Sequence, residues 1–269
     1  MKKRFGIKYE RYAAYATKLL RVFFLDASTR MNPNLKYAEF VPGKSIKSGV
    51  GIIDTCNLTK VVDAIGMLEG SASWTNTDQK GMESWFRAYL DWLLKSEFGQ
   101  DESNRTNNHG TWYDAQIVSY SLFVGKDDVA RRILAEVPVK RIATQIEPDG
   151  NQPQELLRTR SFHYSMFNLE ALIKLAAMGQ VVHVDLWRYK SPKGASIRKA
   201  LDWMVPYAVD GKKWQYQEIK QLESEKILPF LRQAAVAYHS QEYERMADKF
   251  FKDDPASRNN LLYSAQSNK

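Results

Sequence analysis

Apolar residues recur at spacings of three and four along most of the chain, and that period predicts helices. Tyr12, Tyr15, Ala16, Leu19, Leu20, Phe23 and Phe24 share one face, with Lys18 and Arg21 opposite, so residues 8–25 are expected to form a helix. Residues 26–48 carry Asn32-Pro33-Asn34 and Pro42-Gly43 and read as a long loop, a length that usually signals function. Helices are predicted over 58–68, ended by Gly70, and over 78–94, opened by Thr75 or Thr77. Further helices are expected over 115–123, 129–137, 139–146, from Tyr164 through Ala176, and over about 197–207, 227–239 and 243–251. No stretch of length alternates as a strand would. Helices recurring in pairs, too many for a four-helix bundle, predict an all-α stacked or toroidal array of helical hairpins. One domain over 1–254 and a polar tail over 255–269 are expected.

Within that frame, Trp85, Tyr89 and Trp92 lie at i, i+4 and i+7 on one helix face and read as core anchors rather than sugar platforms. Two polar stretches break the pattern and enter apolar helices in the same sense. The first is Asn107-Asn108-His109-Gly110-Thr111-Trp112-Tyr113-Asp114, preceded by 101–106, a run too polar to be expected in the interior. The second runs from Asn151-Gln152-Pro153-Gln154-Glu155 into Arg158-Thr159-Arg160-Ser161-Phe162-His163-Tyr164. A loop-to-helix junction leaves backbone N–H groups without partners, so the amides and imidazole there either cap a helix or hold a carboxylate. The ends of both stretches are expected to share one concave surface.

Composition narrows the chemistry. The 269 residues are 44% hydrophobic, enough for a sizeable core, and the formal net charge is +8 with pI near 9.3. A basic surface suits an anionic partner: nucleic acid, a membrane surface or an acidic polysaccharide. Seven Trp and fourteen Tyr suit stacking on sugar rings as well as helical cores. One cysteine, Cys56, excludes an internal disulfide and a cysteine-rich metal site. The four histidines are widely spaced, which disfavours histidine metal chemistry, and no phosphate-binding glycine loop or nucleophile elbow occurs. No run reaches the roughly 18 apolar residues of a membrane span. Met1-Lys2-Lys3-Arg4 is basic, but Lys8, Glu10 and Arg11 interrupt the stretch from Phe5 to Tyr15, so no signal peptide is read in the chain.

Asn108 and His109 on one junction, with Arg158, Arg160, His163 and Tyr164 on the next, suit β-elimination from a uronic acid. Amide, imidazole or guanidinium groups would neutralise the carboxylate beside C5 as charge develops there. A Tyr or His would take the C5 proton, and a donor would protonate the leaving O4. Tyrosine serves as a base only where cations favour the phenolate, and the two arginines stand ready for that. Glycoside hydrolysis by Glu147, Asp149 and Glu155 is the competing enzymatic reading.

The strings Asn107-Asn108-His109-Gly110-Thr111-Trp112-Tyr113, Gln145-Ile146-Glu147-Pro148-Asp149-Gly150, Gln152-Pro153-Gln154-Glu155-Leu156 and Arg158-Thr159-Arg160-Ser161 with Tyr164-Ser165 resemble the alginate lyase family of polysaccharide lyases. So do Arg30-Met31-Asn32-Pro33-Asn34-Leu35, Gly51-Ile52-Ile53-Asp54-Thr55 and Val184-Asp185-Leu186-Trp187. The likeness implies an (α/α) toroid, incomplete here, and eliminative cleavage of alginate at the C4–O bond to give unsaturated uronate ends, without metal or cofactor. It implies Asn108 and His109 as carboxylate neutralisers, Tyr164 as proton shuttle and Arg158 as the active-site arginine, with Arg160 the alternative. His109 as base for the other epimer stays open. Asn107, Trp112, Arg160 and His163 are expected to bind substrate. An anionic polysaccharide is the partner implied, with neither nucleic acid nor membrane, in the periplasm or outside the cell. Residues 1–11 lack the aromatic Tyr-Trp-Trp-Pro type motif of the family's N-terminal portion, so the chain is expected to be a shortened form. An inactive or weakly active polyanion-binding helical protein is the competing function, and a nucleic-acid-binding helical array a third.

Overall fold

The computed structural model describes residues 10–39 and 48–253, the side chains of 251–253 excepted. The expected tail, the basic N-terminus and Pro42-Gly43 lie outside the described residues. Twelve α-helices occur in order among them: α1 Glu10–Leu20, α2 Leu58–Leu68, α3 Asn76–Lys95, α4 Glu97–Ser103, α5 Asn108–Phe123 and α6 Asp127–Val137, then the single turns α7 Ala143–Gln145 and α8 Pro153–Leu156, then α9 Ser161–Val181, α10 Ile197–Ala208, α11 Leu228–Tyr238 and α12 Gln241–Asp253. The described residues contain no strand, only an isolated antiparallel bridge between Arg160 and Glu218. None of the described helices is long and apolar enough to cross a membrane.

Contacts divide the chain into two compact units, one of residues 1–104 and 113–130, the other of 105–112 and 131–269. In the first, α3 is the central element. Thr75 rather than Thr77 caps it: the Thr75 hydroxyl accepts the Asp78 N–H, and the Asp78 carboxylate accepts the Thr75 N–H in return. Asp78 also takes two bonds of 2.7 Å from the Arg21 guanidinium, which holds its carboxyl well below the usual range. Trp85 and Tyr89 are buried as expected, and Trp92 is half-buried with its ring parallel to that of Tyr89. Trp85 packs edge-on against Phe24 at 4.7 Å and donates its indole N–H to the carbonyl of Met31, inside the Arg30–Leu35 motif. Trp85→Ala is therefore expected to cost about 3–5 kcal/mol of stability, measured by urea denaturation. An unchanged midpoint with lost saccharide binding would make this ring a sugar platform after all.

One expectation is corrected in part. Asn104 and Thr106 of the run 101–106 are exposed, but α4 covers Glu97–Ser103 and carries Glu102 fully into the interior. The cause lies in two glycines. A Cβ on Gly99 would overlap the carbonyl of Leu93, and one on Gly49 the carbonyl of Phe98. Their absence lets α4 pack hard against its neighbours, with the Asp101 carboxylate accepting the Gly49 N–H at 2.8 Å.

In the second unit α9 is the core helix. Leu169, Leu172, Ile173, Leu175 and Ala176 have no exposure, and a Cβ on Gly179 would overlap the Val184 carbonyl. Near the C-terminus, the buried Arg232 of α11 reaches Glu244 and Asp248 of α12, while Tyr243 meets Asp202 of α10. A charged guanidinium is tolerated there because two carboxylates meet it.

Candidate active site

Two helix N-termini of the second unit, each sealed by a carboxylate from a distant part of the sequence, organise the predicted residues. Helix α5 begins at Asn108, earlier than the apolar period indicates. Asn107 caps it, its Oδ1 accepting the His109 N–H at 3.2 Å. The next donor, the Asn108 N–H, goes to Glu155 Oε1 at 2.7 Å, and the Asn108 side-chain amide goes to Glu155 Oε2 at 2.7 Å. Glu155 is 1% exposed. Burial pushes its carboxyl above the usual range, against the opposing pull of the Asn108 donors and of the nearby Arg158 and His109. The two polar stretches thus meet side by side, a contact extended by the Thr106 hydroxyl and the Gln154 amide at 3.1 Å.

Helix α9 is sealed by the segment 210–223, which the apolar period leaves unassigned. Glu218 Oε2 accepts the N–H groups of Phe162 and His163, and the Gln217 carbonyl accepts the Ser161 N–H. Trp214 donates to the Ser161 hydroxyl at 2.8 Å. A carboxylate at a helix N-terminus is favourably placed against the macrodipole.

Behind both junctions lies a layer of carboxamides. Gln145 Oε1 accepts from the Thr111 hydroxyl at 2.9 Å and from Asn168 Nδ2 at 2.9 Å, and Asn168 Nδ2 also reaches Gln152 Oε1 at 2.8 Å. Gln145 Nε2 returns to the Asn107 carbonyl and Gln152 Nε2 to that of Ser165. Gly110 completes the support: a Cβ there would overlap the Arg105 carbonyl and the Arg141 guanidinium, which hydrogen-bond to each other at 2.6 Å.

On this base the two arginines part company. The Arg158 guanidinium sits 4.0 Å over the ring of Tyr164, a cation–π contact. Arg160 turns to acids, with Glu218 at 3.9 Å and Glu223 at 3.7 Å. His163 lies between these groups, edge-on to Tyr164 at 5.3 Å, stacked on Phe167 and 3.8 Å from Glu223. Burial first, then Arg160 and Lys226, lower its pKa, so it is a neutral imidazole at neutral pH. His109, Arg158, Arg160, His163 and Tyr164 are all half-buried, as groups lining a site are.

Two predicted residues stand differently. Trp112 is 2% exposed, donates its indole N–H to the Phe167 carbonyl at 3.0 Å and packs on the Phe167 ring, so it anchors α5 to α9 rather than meeting a sugar. Asn108 has no exposure, so it bears on the surface from behind, through the helical turn that it and Glu155 fix. Glu155 and Glu218 hold the two helix starts, roles that the sequence alone does not assign to them. Glu155 has a signal in the Gln-Pro-Gln-Glu-Leu string, but residue type alone reads it as a hydrolytic acid. With both oxygens held by Asn108, and Glu147 and Asp149 exposed, the two-carboxylate hydrolase arrangement is not formed. No group of three or more acidic, histidine or cysteine residues that could hold a metal occurs among the described residues.

The fold and these paired junctions define an all-α array of helical hairpins with a polar site at two helix starts, and comparison with known proteins gives the family. The alginate lyase family model matches residues 6–214, and the chain belongs to that family; it is a polysaccharide lyase. It is similar to an alginate lyase from Bacteroides ovatus, with 36% identity and a TM-score of 0.90, over 96% of this chain and 69% of that one. It is also similar in fold to alginate lyase A1-III, in a histidine-to-alanine variant complexed with a tetrasaccharide, with 16% identity and a TM-score of 0.60, over 87% of this chain and 69% of that one. No curated protein matches the chain. The fold class is the all-α toroid of helical hairpins that the sequence led us to expect.

Proposed function

We propose that the chain cleaves alginate by β-elimination at the C4–O glycosidic bond, and that the observation carrying this is Arg158 against Tyr164 on the loop that also fixes Asn108 and His109. The uronate carboxylate is held by His109 and Arg158, which lowers the cost of the negative charge that builds up when C5 loses its proton. Asn108 supports this through the first turn of α5. Tyr164, acting as the base, takes the C5 proton on its phenolic oxygen. The electron pair of the C5–H bond forms the C4–C5 double bond, the C4–O bond breaks, and the leaving oxygen is protonated by the Tyr164 hydroxyl that results. The proton balance closes on one residue, and neutral His163 keeps a second cation from crowding the site. A polymeric substrate puts this work in the periplasm or outside the cell.

Ultraviolet absorbance of the conjugated uronate product tests the reading directly: purified chain with alginate should give a rising signal. Retention on alginate with no such signal would leave a binding protein instead. His109→Ala is expected to slow cleavage of mannuronate-rich and guluronate-rich polymer by the same factor, because a carboxylate neutraliser serves both epimers. A loss confined to guluronate-rich polymer would make His109 the base for that epimer.

A further inference from the structure

The segment 210–223 does more than seal α9. Its acids are all engaged: Asp210 with Lys249, Glu218 with Arg160 and the helix N–H groups, and Glu223 with Lys226 and Arg160. Two of its three lysines are not. Lys213 and Lys220 are exposed and have no acid within ion-pair distance among the described residues, while Lys212 is spent over the ring of Tyr207. Between the two exposed lysines stands Tyr216, 41% exposed, its ring backed by Trp214 at 5.2 Å and Trp203 at 6.0 Å. A large ring left in water yet braced from behind has lost its freedom in advance, and that lowers the entropic cost of stacking a sugar on it. The adjoining Gln217 and Glu218 are bonded to Ser161, Phe162 and His163, one turn from Tyr164. The ring is therefore fixed relative to the reacting residues.

We infer that Tyr216, flanked by Lys213 and Lys220, forms an outer subsite that binds a further uronate of the polyanionic chain beside the one being cleaved. The inference rests on the lyase reading for its substrate class. The ring takes the apolar face of the pyranose, and the lysines take carboxylates along the strand. Substrate long enough to reach the segment gains affinity from it, and substrate too short does not.

Steady-state kinetics on alginate and on the shortest oligouronate that is cleaved, for wild type, Tyr216→Ala, Tyr216→Phe and the pair Lys213→Ala with Lys220→Ala, tests this. Tyr216→Ala is expected to raise KM on polymer about tenfold, the size of one lost ring contact, with kcat unchanged and the short substrate unaffected. Tyr216→Phe should restore the polymer KM. The lysine pair should raise the polymer KM in low salt, and less so as salt screens the carboxylates. Equal kinetics for all variants, or a fall in kcat on the short substrate, would overturn the subsite and leave the segment a brace. Electrophoretic retardation in alginate-containing gels separates the two readings. If wild type makes no unsaturated product, the lyase reading fails, while weaker retardation of Tyr216→Ala than of wild type still upholds the subsite and equal retardation overturns it.

Discussion

Tyr164→Phe should lower kcat on alginate by about 10²–10⁴-fold, the usual worth of a positioned proton-transfer group, with KM nearly unchanged. The substitution removes one oxygen. The ring keeps its place under the Arg158 guanidinium and beside His163, so packing and the cation–π contact survive. The carboxylate is still held by His109 and Arg158, which is why binding should persist while the chemical step fails. Initial-rate ultraviolet assays over a range of polymer concentrations separate the two constants. A variant that retains most of its turnover would remove Tyr164 from the mechanism and move the search to His109 or His163.

Glu155→Ala should damage both stability and rate. It leaves the Asn108 N–H and side-chain amide without their acceptor in a site that water does not reach, at about 1–3 kcal/mol for each stranded donor. The first turn of α5 then loses the bond that fixes it, and a shift of the order of an ångström in His109 costs on the order of 10²-fold in rate. Glu155→Gln separates charge from shape. The folded-state pKa of Glu155 is raised, so the folded chain holds that proton more tightly than the unfolded chain does. Stability is therefore lost as pH climbs from the ordinary glutamate value of about 4.3 through the raised one. Relative to wild type, Glu155→Gln should gain stability across that window, read from urea midpoints on either side of it. A wild-type advantage that grows with pH instead would mean the carboxylate is stabilised by its donors more than burial penalises it.

Amphipathic helices were legible with their caps, whereas helices buried on all sides were legible only in part. Helix α3 shows its wide apolar stripe and Thr75 its cap, because one face of that helix meets solvent. Helix α5 hides its own beginning. Asn108, Thr111, Asp114 and Gln116 are all buried, each in a polar environment that the surrounding fold supplies, so no apolar period marks the first two turns. The site was legible as a set of residue types on two junctions, and the structure adds the partners that place them. Asn108 meets Glu155 across 47 positions and Phe162 meets Glu218 across 56. No local pattern encodes such pairings. The choice between Arg158 and Arg160 likewise turns on acids that lie in a segment with no periodic signal of its own.

Gly110 bears on how this site could be re-engineered. In a saturation library over positions 107–112, the half-buried His109 would be selected for its part in the proposed reaction. Position 110 would be filtered before catalysis was ever sampled, since every residue but glycine drives the Arg105 carbonyl and the Arg141 guanidinium apart. Survivors should carry glycine at 110 whatever the selection rewards, and randomising that codon would only dilute the library.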